Sequence, residues 1–347
     1  MMLPPLPSQP EDTPWPEADW PEGPLEADVD GEAIERAAAR AFTPEPTGTH
    51  GETLAWTIVH RGRVVFERHA AGKGPADTFI SWSMAKSFVH AFVGVLVGQG
   101  RLDPAAQAPV SAWADAGDPR GAITLDHLLR QVDGLDFIEV YEDGVRSDVV
   151  DMLFRKGKDD VAAFAETRKL AHEPGTFWNY SSGTSNIVSA IVGREVGGGQ
   201  AGMEAFMADS IFGPLGMKSA TTRFDPAGTF IGSSYVFATA RDFARFGLLY
   251  LRDGVWGGRR ILPEGWVDEA RTNTPPSQGE YGAHWWLALH DPGIFNASGF
   301  NGQYIVVVPD RDLVIVRLGV SVPEQRVNVV GDLREVVEAF PPRASKA

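Results

Sequence analysis

The sequence predicts an α+β protein: an antiparallel sheet flanked by helices in an α/β sandwich, with a mainly helical domain inserted into it. Three observations predict this. Strand-like runs occur near the start, at 54–60 and 63–69, and return near the end, at 294–297, 303–308 and 313–318. The long stretch between, from about 83 to 230, is helix-rich and broken by Gly/Pro loops. The economical architecture builds one sheet from both ends of the chain and inserts the helices between them. A length of 347 residues suits one large domain or two intertwined ones. The expected division is an extended arm over 1–30, a sheet domain formed by 31–82 with 231–347, and a helical domain over 83–230.

Each element has a local reason. The first two dozen residues carry eight prolines among acids, with Trp15 and Trp20 interleaved, and no basic or apolar leader pattern. They read as a polyproline-like arm along the surface with the two tryptophans as anchors, or else as a disordered tail. Asp30 can cap a helix through Phe42, whose apolar side is Ile34, Ala37, Ala38 and Ala41. The two strand runs that follow are separated by Arg61-Gly62 alone, which is hairpin spacing. Further helices are expected near 125–131, 159–168, 184–196 and 202–212. The apolar block Ile305 to Val308 reads as a strand covered on both faces. A final helix, about 324–340, repeats Val327, Val330, Leu333, Val337 and Phe340 at helical spacing. No internal repeat is present.

Composition narrows the function. The formal charge of −15 argues against nucleic acid or an anionic membrane as partner. Ten of the acids, and no Lys or Arg, fall in residues 1–35, so the remaining body is only mildly acidic. There is no cysteine, which removes thiol nucleophiles, disulfides and thiolate zinc sites. No apolar run reaches the ~18 residues a transmembrane helix needs, and a soluble cytoplasmic protein is expected. The eight histidines show no metal-ligand spacing, and Gly197-Gly198-Gly199 follows a helix rather than a strand, so neither a metal nor a nucleotide cofactor is expected. His127 and His172 read as structural. A G-x-S-x-G elbow is absent.

Chemistry first suggests itself at Ser81-Trp82-Ser83-Met84-Ala85-Lys86. If a helix begins near Ser83, then Ser83 and Lys86 share a face. The residues that follow, Phe88 to Val97, are apolar almost all round, the pattern of a buried helix. Burial lowers a lysine pKa, and a neutral amine beside a hydroxyl can take its proton. The bare S-x-x-K motif is weak, since seven lysines and eighteen serines in this chain produce it by chance about 0.4 times. The alternative is a serine that only caps the helix and a lysine that snorkels to water.

This block resembles the first motif of the serine β-lactamase and penicillin-binding-protein superfamily, and is most similar to its class C-like branch of esterases, D-aminopeptidases, DD-peptidases and 6-aminohexanoate-oligomer hydrolases. The likeness continues in order. Ile123-Thr124-Leu125-Asp126-His127-Leu128-Leu129 with Asp133-Gly134-Leu135 resembles the family's "I-T-x-x-H-L-L … S-G-L" segment, with Asp133 where Ser is usual. Pro174-Gly175 through Tyr180-Ser181-Ser182 resembles "P-G-x-x-x-x-Y-S-N". Ala297-Ser298-Gly299 falls where the family carries K-T-G or H-x-G. The landmarks span roughly 50 to 320.

The resemblance implies a β-lactamase/transpeptidase-like fold with the active site in the cleft between the sheet and helical domains, and assigns roles by position. Ser83 would be the nucleophile, Lys86 its proton acceptor, and Tyr180 a second general base helped toward phenolate by a nearby ammonium. The backbone N–H groups of Ser83 and Phe300 would form the oxyanion hole. A buried core tyrosine is the alternative for Tyr180. Two departures, Ser182 where Asn is frequent and the missing cation at Ala297, weigh against a carboxylate-reading β-lactam or D-Ala-peptide pocket. They favour the esterase and 6-aminohexanoate-oligomer hydrolase side. Tyr141, Ser182, Trp286 (or Trp285), Ser298 and Gly299 are the candidate substrate contacts. The expected partner is a small ester or linear amide. A β-lactamase or D-Ala-D-Ala carboxypeptidase, and a noncatalytic acylated sensor, are the alternatives; oligomeric state, a homodimer included, stays open.

Overall fold

The computed structural model describes residues 3–43, 48–142, 144–287 and 293–343. Residues 3–30 run along the body as an extended arm with no helix. Proline lacks an N–H, so such a segment offers mainly carbonyls, and arginines read them. Arg271 donates to Pro4 O at 2.8 Å, Arg252 to Pro7 O at 3.4 Å, Arg63 to Asp12 O at 2.8 Å, and Arg245 to Pro16 O and Ala18 O at 3.0 and 3.2 Å. Trp20 is buried under the Arg245 guanidinium, and Trp15 packs on Trp256. Glu22 then forms a parallel bridge with Val64.

Helix α1 (Gly31–Phe42) starts where the Asp30 carboxylate accepts the Ala33 N–H at 3.0 Å. Strands β1 (Glu52–His60) and β2 (Arg63–His69) follow, and the intervening Arg61 and Gly62 both have positive φ, 52° and 76°, as a two-residue hairpin turn requires. The short β3 (Phe79–Ile80) leads to the buried α2 (Ala85–Gly98). Then come α3 (Leu125–Leu129), α4 (Asp148–Phe154), α5 (Val161–Glu166), α6 (Ser182–Val196) and α7 (Gly199–Met207), the last continued by a π-turn over Ala208–Phe212. Strands β4 (Thr221–Thr222) and β5 (Val236–Ala238) complete a small sheet with β3 in the order β3-β5-β4. After α8 (Ala240–Leu251), the β6–β7 hairpin (Val255–Trp256, Arg259–Arg260) and α9 (Trp266–Arg271), the chain forms β8 (Phe295–Gly299), β9 (Gln303–Val308), β10 (Leu313–Val320) and α10 (Pro323–Ala339).

The main sheet has the order β2-β1-β10-β9-β8 and is antiparallel throughout. It therefore joins both ends of the chain. Alternate residues serve two cores: Ile58, Val306, Val308 and Ile315 face α1 and α10, while Ile305, Val307, Val314 and Val316 face α8 and α2. This double coverage explains the unbroken apolar run in β9. Helix α8 crosses the sheet so closely that a Cβ on Gly247 would lie 2.6 Å from Val314 Cγ1.

Three helices, α4, α8 and α9, had no counterpart in the sequence reading. Helix α8 carries Phe243, Phe246 and Tyr250 at helical spacing, a pattern the sequence reading passed over, and holds Asp242 and Arg245 inside as an ion pair at 2.8 Å. Helix α4 spans only seven residues. The expected 159–168 helix is trimmed to Val161–Glu166 because the Asp160 carboxylate caps it at the Ala163 N–H.

Candidate active site

Ser83 lies in a single 3₁₀ turn, Trp82–Met84, that leads directly into α2. Trp82 before it has φ 44°, an uncommon conformation for a bulky residue. Three residues on, Lys86 is 1 % exposed and makes three contacts: Ser83 Oγ at 3.0 Å, Ser182 Oγ at 3.1 Å and Ser233 O at 3.0 Å. The lysine does not snorkel. Burial lowers its pKa to about 8, with Glu139 pulling the other way.

The directions of these hydrogen bonds follow from their partners. Ser182 donates its hydroxyl to Glu139 Oε1 at 2.6 Å, so toward Lys86 it acts as acceptor. The Ser233 carbonyl also accepts only. A neutral Lys86 spends its two N–H groups there, and its lone pair is left for the Ser83 hydroxyl. This is the geometry of a general base.

Glu139 was not anticipated. Besides the Ser182 hydroxyl it accepts the Ser182 N–H at 2.8 Å and the Tyr141 hydroxyl at 2.9 Å. It is the carboxylate that electrostatically opposes the depression of the Lys86 pKa. The available signal was an acid two residues before Tyr141 in an extended apolar stretch, where residues i and i+2 share a face.

Tyr180 stands over the Lys86 ammonium, whose Nζ is 4.9 Å from the ring centroid, and its hydroxyl hydrogen-bonds Ser83 and Trp286. The sequence expectation of a phenolate is corrected. Burial, reinforced by Glu139, raises the Tyr180 pKa, and the two hydrogen bonds only partly oppose this. The resting group is a neutral phenol, suited to pass a proton on rather than to wait as an anion.

The remaining positions sort by distance from these three. A Cβ on Gly299 would lie 2.3 Å from the Ser81 carbonyl oxygen, so glycine there lets the end of β8 press on the segment before Ser83. Phe300 follows, its ring edge-on to Trp82 at 5.7 Å and tilted against Tyr141 at 5.2 Å. Ser298 pairs across the sheet with Tyr304 and hydrogen-bonds its hydroxyl. Tyr141, half exposed, stands at the mouth. Trp286 packs on Tyr180 with ring centroids 5.0 Å apart, whereas Trp285 is a core residue packed on Tyr250 and Phe295. Ser182 is fully buried with its hydroxyl held between Lys86 and Glu139, a different role from the substrate contact its position suggested.

Outside the site, His127 forms a capping box with Thr124, and His172 stacks on Phe177 at 4.0 Å. Among the described residues no group of three or more His, Asp or Glu is placed to hold a metal ion, and no helix is long and apolar enough to cross a membrane.

Comparison with known proteins identifies the family and the fold. The sequence model of the Beta-lactamase family matches residues 38–334. The chain is 29 % identical over 289 residues to the 6-aminohexanoate-dimer hydrolase of Paenarthrobacter ureafaciens, covering 77 % of this chain and 72 % of that one. Among solved structures, a provisionally named 6-aminohexanoate-dimer hydrolase of Bacillus anthracis superposes with TM-score 0.76 at 21 % identity, covering 98 % of this chain and 92 % of the other. A family VIII carboxylesterase superposes with TM-score 0.67 at 14 % identity, covering 92 % and 99 %.

Proposed function

The chain belongs to the beta-lactamase family and is a hydrolase of that fold, and from this premise we propose that it cleaves small esters or linear amides through an acyl-enzyme on Ser83. The observation that carries the proposal is the hydrogen-bond direction at Lys86. Every neighbour but Ser83 can only accept from the amine, so the neutral amine takes the Ser83 proton as Oγ attacks the carbonyl carbon. The resulting oxyanion lies between the backbone N–H groups of Ser83 and Phe300, donors at a turn start and just past the close Gly299 contact. The Tyr180 hydroxyl, bonded to Ser83, relays the proton to the leaving oxygen or nitrogen. Water then repeats the sequence in reverse to free Ser83. Tyr141, Trp286, Ser298 and Gly299 border the substrate.

The ester and linear-amide preference rests on the absence of a cation at Ala297, where a carboxylate-binding pocket would place one, and on the relative that acts on 6-aminohexanoate dimer. A serine-reactive phosphonate followed by intact-mass analysis tests the nucleophile: wild type gains one adduct and Ser83→Ala none. Equal labelling removes Ser83 from the mechanism. A short p-nitrophenyl ester and a 6-aminohexanoate dimer should both turn over; turnover of a chromogenic cephalosporin alone, or acylation without release, overturns the substrate assignment.

A further inference from the structure

Tyr180 lies between two backbone N–H groups that the same residue accepts. Asn179 N–H donates to the Gln131 carbonyl at 2.9 Å, and Ser181 N–H donates to Gln131 Oε1 at 2.6 Å. Gln131 is fully buried and has φ 60°, a costly conformation for a residue other than glycine that persists only where its surroundings demand it. Its amide does not float. Gln131 Nε2 donates to Ser185 Oγ at 3.1 Å, and Ser185 Oγ lies 3.0 Å from His284 Nε2.

The proton positions in this chain are forced. His284 Nδ1 lies 2.6 Å from the Leu129 carbonyl, which can only accept, so Nδ1 carries the hydrogen. The neutral ring then accepts at Nε2 from the Ser185 hydroxyl. Ser185 Oγ in turn accepts from the Gln131 amide, and the opposite end of that amide must present its oxygen to Ser181. Ser87, next to Lys86 on α2, donates to the His284 carbonyl at 2.8 Å. One buried relay thus connects the helix that carries Lys86 with the backbone on both sides of Tyr180.

We propose that Gln131 is a positioning residue for Tyr180, gripping the chain at residues 179 and 181 so that the phenol stays registered on Ser83 and Lys86. The inference rests on the proposed proton-relay role of Tyr180. A displacement near 1 Å of a group that must meet a reacting atom can cost about 100-fold in rate. Gln131→Met keeps the volume and removes both polar side-chain atoms, leaving the Ser181 N–H without its acceptor.

A double-mutant cycle on p-nitrophenyl ester turnover tests this, with kcat and KM measured separately. Gln131→Met should lower kcat by about 10- to 100-fold with KM nearly unchanged. In a Tyr180→Phe background the same substitution should have little further effect, because the group it positions is gone. Ser185→Ala, a milder change that frees the Gln131 amide and leaves His284 Nε2 without its donor, should show the same pattern at several-fold magnitude and serves if Gln131→Met fails to fold. Ser189→Ala removes a buried hydrogen bond to the Phe230 carbonyl elsewhere on α6 and should leave kcat unchanged. Equal losses in both backgrounds, a loss confined to KM, or near-native kcat overturns the inference. A near-native Tyr180→Phe enzyme instead overturns the Tyr180 assignment itself.

Discussion

The buried cations under the arm and the one in the cleft are compensated differently. Under the arm, Arg252 meets Asp312 at 2.6 Å and Arg245 meets Asp242 at 2.8 Å, and further donors go to arm carbonyls and Gln9, while Arg252 Nη2 finds no partner among the described residues. In the cleft, Lys86 is just as buried yet touches only neutral oxygens, with its anion, Glu139, reached through the Ser182 hydroxyl. The guanidiniums are matched to their charge; the ammonium is not. An arginine keeps its proton even when burial lowers its pKa, so pairing it stabilises the fold, whereas an under-compensated lysine gives up its proton near neutrality and becomes a base.

The contrast is sharpest at the nucleophile. Ser83→Ala should lower kcat by at least about 10³-fold while leaving the unfolding midpoint near wild type, measured by ester turnover and denaturant titration. Lys86→Met should lower kcat by about 10²-fold or more and at the same time raise stability below pH 8, because the wild type buries a charge there. The sign follows from the titration. The folded pKa, about 8, lies below the usual lysine value near 10.4, so the unfolded chain holds more protons between those pH values and wild-type stability rises across that window. If Lys86→Met is instead destabilised at pH 7, the lysine is a structural cation like the arginines. Arg252→Met is the converse experiment: stranding Asp312 should cost about 3–5 kcal/mol in a urea titration with kcat unchanged. A large rate loss there would erase the distinction between the two regions.

The smallest effect is the most diagnostic. In the wild type, kcat/KM should rise with pH and level off above about 8 as Lys86 becomes neutral, with no phenolate transition near 10 because the Tyr180 pKa is raised. Glu139→Gln removes the anion that supports the ammonium, so the rising limb should move to lower pH and the plateau should fall several-fold with the weaker base. A limb that stays in place detaches Glu139 from the lysine.

Residues with one dominant local cause were legible in the sequence. The hairpin at Arg61-Gly62, the apolar block Ile305 to Val308 and the S-x-x-K pair each depend on near neighbours, and the ordered landmarks placed Ser83, Lys86 and Tyr180 in one family pattern. What escaped depends on contacts distant in sequence. Glu139 acquires its role only when α6 brings Ser182 to it, 43 residues away, and Gln131 only when it meets Asn179 and Ser181. Helix α8 was legible from the helical spacing of Phe243, Phe246 and Tyr250 and was passed over. The ionisation state of Tyr180 was misread for another reason: proximity to an ammonium is visible in a motif, but the burial that outweighs it is not.

The bridge from Glu22 to Val64 has a consequence for self-association. A five-stranded sheet has two outer strands whose free backbone groups can recruit another chain. Here β2 is covered by the arm at Val64, and β8 is covered at Asn296 by Trp286, whose backbone exchanges two hydrogen bonds of 2.9 Å with it. Among the described residues, Ser298 and Gly299 at the end of β8 have a strand, β9, on one side only. Proteolytic loss of the arm would therefore do more than expose arginines: it would bare an outer strand and turn a capped sheet edge into a template for aggregation.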